Sequence, residues 1–196
     1  MSENKFDFLK SIKEKKDGPV EKTNQDIQVE RFIEMHTHKV GSLKELAGRL
    51  PGNDEIFFIW TMKSFNAFTF IPYVIKSCGV IDNLVISTYS INTRIVNSLT
   101  RYLDKEQIKN IHIFISDSIK YRMPKVVDLL EGLNTVRKNM SIKYSWNHSK
   151  VTLIEAANNS FVIEGSSNFS ENAQIEQYVF LNNKNVYDFR FNWIKQ

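Results

Sequence analysis

"NLVISTYSINTRIVNSLTRYLDKEQIKNIHIFISD", residues 83–117, is the stretch on which the fold turns. Its two ends, "NLVISTYS" and "NIHIFISD", are short runs rich in Ile, Val, Thr, Tyr and Phe, the composition of buried strands. Between them "NTRIVNSLTRYLD" carries the period of an amphipathic helix. Two strands separated by a helix pair in parallel, because a crossover of this length returns the chain to the same end of the sheet. The rhythm continues into "PKVVDLLEGLNTVRKN", residues 124–139, where Pro124 suits a first helical turn. Upstream, "VERFIEMH" and "IFFIWTM" read as strands, with "SLKELAGRL" at helical spacing between them. "SFNAFTFIPYVIKSCG" reads as a helix started or interrupted by Pro72 and capped at Gly79. This alternation predicts an α/β fold: a mixed, largely parallel β-sheet flanked by helices on both faces, with ligand sites at the carboxyl ends of its strands. After Met140 the pattern changes to four short strand-like runs, "SIKYSW", "KVTLIEA", "SFVIEG" and "IEQYVFLN", and "VYDFRFNWIKQ" closes the chain as a helix.

The 196 residues suffice for one core, so a single domain is expected over 27–196. Residues 1–26, dense in Lys, Glu, Asp and Asn, read as a flexible arm or a short docking helix. A net charge of +4 tilts the chain toward anionic partners such as nucleic acid. Cys78 is the one cysteine, which excludes an intrachain disulfide and a cysteine-based zinc site and fits a reducing cytoplasm. No apolar run is long enough to span a bilayer and no signal-type core opens the chain, so no membrane partner is expected and the location reads as cytoplasmic. Asn147, Asn158 and Asn168 each begin an Asn-x-Ser triplet, read as coincidence rather than as glycosylation sites.

The chemistry concentrates in the strand-rich end. His148 and Lys150 stand two residues apart, so an extended backbone projects both from one face. Fifteen residues beyond Lys150, Gly165 opens "GSSN" directly after an apolar run, where a glycine permits a tight strand exit and close approach of the backbone to an anion. Ser166 and Asn168 add neutral donors. An imidazole that attacks or protonates, an ammonium that balances phosphate charge, and donors aimed at nonbridging oxygens make a minimal kit for phosphoryl chemistry without a metal or other cofactor.

At these residues the sequence resembles the phospholipase D superfamily, whose signature is His-x-Lys, four residues, an acid, then a gap to Gly-Ser-x-Asn. Here the pattern falls on His148, Lys150, Glu155, Gly165, Ser166, Ser167 and Asn168, with Glu in place of the usual Asp and a longer gap than the commonest form. The family's further acid, which orients the histidine ring, resembles Glu176, with Glu171 as competitor. Most family enzymes carry two such motifs and this chain carries one, which implies a homodimer like the small single-motif nucleases, with two copies of His148 sharing one phosphate. The resemblance therefore implies a metal-independent phosphodiesterase, a nuclease acting on DNA or RNA through a phosphohistidine. A catalytically silent relative that binds nucleic acid or a protein on the same scaffold is the alternative.

Other clusters are weaker. Lys120, Arg122 and Lys125 follow a strand of the parallel part, where they could contact a nucleic-acid backbone or form a plain basic loop. Glu34, His36 and His38 alternate as metal ligands would, yet lack the further histidines such sites need. The aromatic residues of "FFIWTMKSFNAFTFIPY" read mostly as core, and Phe191 and Trp193 as closing the core or a dimer.

Overall fold

The computed structural model describes residues 49–61, 66–170 and 175–196 in full and the backbone of 34–40. Residues 1–26, expected as an arm, lie outside these, as does the helix expected over 42–50 except for its last two residues.

The stretch 83–117 folds as its pattern requires. Strand β3 (Ile81–Thr88) is buried almost throughout, since both of its faces are covered. Asn92 then caps the helix that follows: its side-chain oxygen accepts from the Ile95 N–H at 2.9 Å. That helix, α2 (Thr93–Asp104), turns Ile95, Val96, Leu99 and Leu103 toward the sheet. Strand β4 (Ile108–Ser116) returns parallel to β3, with Ile81 opposite Ile108. A short helix, α3 (Ile119–Arg122), leads into α4 (Pro124–Val136), which begins at Pro124, and β5 (Met140–Ser145) lies parallel to β4.

Upstream, β1 (Glu34–Val40) pairs in parallel with β2 (Glu55–Thr61). A single 3-10 turn (Ala67–Thr69) precedes α1 (Phe70–Cys78), so Pro72 falls in the first turn. Gly79 stops α1 at φ +82°, a conformation that costs a side chain dearly, and donates to the Ile75 carbonyl at 2.7 Å. Downstream, β6 (Val151–Ala156) and β7 (Asn159–Gly165) form a hairpin through Ala157 and Asn158, both left-handed, and β8 (Gln177–Asn182) follows antiparallel. The closing helix α5 (Lys184–Lys195) is capped by Asn183.

All eight strands join one sheet in the order β1-β2-β8-β7-β6-β3-β4-β5. Strands β1 to β5 and β7 point one way, β6 and β8 the other, so the sheet is mixed with most strands in one direction. The larger core lies beneath α1, α2 and α4; its aromatic centre sets Phe70 edge-on to Phe180 at 5.2 Å and to Tyr178 at 5.1 Å. Ile56, Val85, Leu153, Val162 and Leu181 point to the opposite face and pack with Tyr187 and Ile194 of α5. Of the aromatic run expected as core, Phe57 and Phe70 are buried, whereas Phe58 and Trp60 face outward at 40% and 48% exposure. The period of two along β2 explains the split, because alternate residues belong to opposite faces. Trp193 is likewise 43% exposed, while Phe191 packs at the edge of the α5 core. Among the described residues no helix is long and apolar enough to cross a membrane.

Candidate functional site

Strand direction gathers the site. Because β6 and β8 run against β3 and β7, the entry to β6, the exit from β7 and the entry to β8 all meet at one end of the sheet, where β3 also delivers Tyr89 and Ser90. His148 and Lys150 occupy the entry to β6, Ser166 and Asn168 the exit from β7, and Glu176 the entry to β8. One backbone hydrogen bond joins the two halves of the sequence pattern: the Gly165 N–H donates to the Lys150 carbonyl at 3.2 Å.

Gly165 is required by space. A Cβ there would fall 2.3 Å from Tyr178 Cδ1 and 2.7 Å from the Gln177 carbonyl oxygen, so any side chain would force β7 and β8 apart. Past it, Ser166 donates from its backbone N–H to the Gln177 carbonyl at 3.1 Å, and its hydroxyl bonds the Glu176 carboxylate. Glu176 is held in turn by Thr61: the Thr61 N–H donates to the Glu176 carbonyl at 2.9 Å, and the Glu176 N–H donates to Thr61 Oγ1 at 3.2 Å. Ser167 is buried and bonds the Tyr178 hydroxyl; burial pushes that phenol above its ordinary range. Asn168 Oδ1 takes a long contact of 3.5 Å from the Thr88 hydroxyl. Phe169, buried, clips this loop to the exit of β3: its N–H donates to the Ser90 carbonyl at 3.1 Å, and its carbonyl accepts from Asn92 at 3.0 Å.

Lys150 Nζ lies 3.4 Å from His148 Nδ1 and donates to the His148 carbonyl at 3.0 Å, so imidazole and ammonium share one small space. Partial burial lowers the Lys150 pKa from the ordinary lysine value; electrostatic interaction with Glu176 and Tyr89 acts in the opposite sense. Glu155, the acid of the pattern, sits at the far end of β6 and accepts from Asn83 Nδ2 at 2.6 Å, a cross-strand contact away from the other members. Glu171 lies outside the described residues.

Two supports escaped sequence reasoning. Asn147 fixes the backbone beneath His148: its Nδ2 reaches Ser87 Oγ at 3.0 Å and the Phe114 carbonyl at 3.2 Å, and its Oδ1 accepts from the Ser149 N–H at 2.9 Å. That last bond is an Asx turn, for which the Asn-x-Ser spelling was the available signal. Tyr89 lies against His148 with ring centroids 4.7 Å apart, and the Arg122 guanidinium covers the tyrosine ring at 4.1 Å. Arg122 also donates to the Tyr89 carbonyl at 3.2 Å, so a cation, a phenol and the imidazole lie in a row, the two rings tilted at 51°. Of the other basic candidates, Lys120 lies over the Tyr144 ring at 4.4 Å, at the end of β5, and Lys125 is exposed at the start of α4. Among the described residues no three His, Cys, Asp or Glu side chains gather to hold a metal ion; the side chains of Glu34, His36 and His38 lie outside those residues. His112 is apart from the site, with Nδ1 2.6 Å from Ser141 Oγ.

On its β2 side the site opens into a cleft of about 800 Å³ that begins at Ser166 and Glu176 and runs between Phe58, Trp60, Ile175 and Val179.

No protein-family model and no curated protein matches this sequence. Among solved structures, a polyphosphate kinase from Porphyromonas gingivalis superposes with a TM-score of 0.50 at 13% identity, covering 71% of this chain and 25% of that one. A phosphatidylserine synthase from Haemophilus influenzae Rd KW20 superposes with a TM-score of 0.50 at 10% identity, covering 71% of this chain and 37% of that one. The likeness is one of fold, the phospholipase D-like α/β fold, and this chain spans well under half the length of either neighbour.

Proposed function

We propose that this chain is a metal-independent phosphodiesterase, a nuclease of the phospholipase D type, working as a homodimer in which two copies of the site share one phosphate. The observation that carries the reading is the meeting of His148, Lys150, Ser166 and Asn168 at one end of the sheet, joined by the Gly165 to Lys150 backbone bond. Two solved structures with a similar fold are named for compounds that contain phosphate, which agrees with it. Basic charge favours nucleic acid as the phosphodiester.

In the proposed cycle an imidazole nitrogen of His148 attacks phosphorus and the P–O ester bond breaks. The leaving oxygen takes a proton from His148 of the partner subunit, so charge does not accumulate on it. Lys150 and Asn168 hold the nonbridging oxygens, supplying the electrostatic stabilisation that most phosphoryl transfers depend on. The partner's His148, now neutral, then takes a proton from water; the water oxygen attacks phosphorus, the P–N bond breaks, and a phosphomonoester leaves with both rings restored. Ser166, bonded to Glu176, keeps that carboxylate beside the site.

The test is hydrolysis of methyl 4-nitrophenyl phosphate and of single- and double-stranded DNA and RNA in excess EDTA. Turnover is expected, with His148→Ala lowering kcat by about a thousandfold or more. Unchanged turnover by that variant would place the chemistry elsewhere. No turnover by the wild-type chain on any of these substrates would leave a silent binding protein on the same fold.

A further inference from the structure

Trp146 and Tyr121 are the most exposed large hydrophobic side chains among the described residues, at 96% and 90%. Rings of this size lose the favourable free energy of burial by remaining in water. Both stand on the rim of the candidate site. Trp146 is two residues before His148, a reach of at most about 7 Å along the chain. Tyr121 sits in α3 between Lys120 and Arg122, and α3 is fastened to the same rim from two sides. The Asp117 N–H donates to the Ser145 carbonyl at 2.9 Å, next to Trp146. Arg122 lies over the Tyr89 ring, which in turn lies against His148.

Among the described residues, Trp146 and Tyr121 are the large hydrophobic side chains exposed on this rim, and cations accompany them. Lys120, Arg122 and Lys125 neighbour Tyr121 along the chain, and Ser145 and Asn147 flank Trp146. The remaining exposed apolar side chains stand elsewhere: Phe58, Trp60 and Ile175 on the β2 side, Val80 and Val136 at the opposite end of the sheet, and Trp193 on α5. A surface that dips into lipid adds aliphatic side chains to its rings; one that tracks a nucleic-acid strand alternates isolated rings with cations, the rings taking bases and the cations phosphates. Isolated rings select unpaired bases, because in a duplex each base face is covered by its neighbours.

From this arrangement we infer that the rim binds single-stranded nucleic acid: Trp146 and Tyr121 each stack an unpaired base, Lys120, Arg122 and Lys125 line the phosphates, and the strand enters the site past Tyr89. The inference rests on the proposed function and gives it a substrate class. The nucleotide whose base meets Trp146 lies beside the phosphodiester presented to His148.

The experiment uses the full chain carrying His148→Ala, so that binding is read without turnover and does not depend on the catalytic proposal. A labelled oligothymidylate and a labelled duplex are titrated by fluorescence anisotropy, with tryptophan emission recorded in parallel. The single strand is expected to bind more tightly than the duplex and to quench emission. Adding Trp146→Ala or Tyr121→Ala should weaken it about tenfold each. Trp146→Phe should keep most of the affinity and lose most of the quench, which separates stacking from misfolding; Val136→Ala, at the far end, should change neither. Unchanged affinity in both alanine variants, or a preference for duplex, overturns the inference. So does binding to anionic phospholipid vesicles in place of the oligonucleotide, which would make the rim a membrane contact. Conversion to a smaller species by either alanine variant would make it a subunit interface and overturn the inference equally. The nuclease reading fails separately, through absent hydrolysis by the unsubstituted chain.

Discussion

Lys150 shows how one side chain serves two demands. Partial burial makes its ammonium shed a proton more readily than the ordinary lysine value of 10.5, while Glu176 and Tyr89 oppose the shift. The sign for stability is the reverse of a paired cation: the folded chain holds this proton less tightly than the unfolded chain, so the charged form costs stability at neutral pH, and the cost fades as pH rises through the folded value toward 10.5. For the proposed catalysis the direction is opposite, since there loss of the ammonium would remove a partner of the nonbridging oxygens. The alkaline limb of kcat/KM is therefore expected to fall with a midpoint below the ordinary lysine value, and a limb at or above 10.5 would show that loss of the Lys150 proton does not limit turnover. Gly165 is the sharper structural case. Gly165→Ala drives a methyl into Tyr178 and into the Gln177 carbonyl, and the carbonyl, being backbone, cannot rotate away. A loss of about 3 kcal/mol is expected, lowering Tm by roughly 6–12 °C for a chain of this size; calorimetry checks it. His148, Lys150, Ser166 and Asn168 were legible because their spacing along two successive strands already implies a shared end. Tyr89 and the hydroxyls of Ser87 and Thr88 were not, because their contacts with residues 147, 148 and 168 cross about sixty to eighty residues that carry no local signal.

At the scale of the element, the signals that could be read were those a segment satisfies alone. Pro124 opening α4 and Gly79 closing α1 each answer a local demand of the helix ends, and each stands where the sequence places it; Asn92 meets the same demand by capping α2. The outward turn of Phe58 and Trp60 was illegible, because an apolar run does not say which of its two faces will be covered. The hairpin between β6 and β7 carries an avoidable local cost. Ala157 at φ 48° and Asn158 at φ 64° supply the two left-handed residues that a tight antiparallel turn demands, and alanine pays about 1–2 kcal/mol for that conformation. Replacing both by the preferred pair, Ala157→Asn with Asn158→Gly, is expected to stabilise the chain by about 1 kcal/mol and to raise Tm by roughly 2–4 °C. Both positions are exposed and lie at the opposite end of β6 and β7 from His148, so the gain should come with unchanged kcat.

For the whole molecule, the class of fold was visible in the alternation of strands and helices, while the order of strands was not. Nothing in the run from Met140 onward says that β6 inserts between β3 and β7, or that β8 reaches across to β2; those pairings are set by the closing of one sheet around two cores. That closure decides what surrounds the site. On one side stand Trp146, Tyr121 and their cations; on the other, the cleft beside Ser166 and Glu176 exposes Phe58, Trp60 and Ile175 at 40%, 48% and 59%. A two-histidine cycle needs a second copy close to Glu176 and His148, and an apolar surface of this kind beside the site suits a subunit contact more than it suits water. Phe58→Asp is expected to convert the species seen by light scattering from dimer to monomer. Turnover should fall with it by about a hundredfold or more although every site residue of the chain is retained, because the leaving oxygen loses its proton donor. Dilution of the wild-type chain below its dimer dissociation constant should lower specific activity in the same way. A Phe58→Asp monomer with full activity, or a wild-type chain that is monomeric at assay concentration and still turns over, would require a single imidazole to serve as nucleophile and acid in turn, and the shared site would have to be given up while the fold stands.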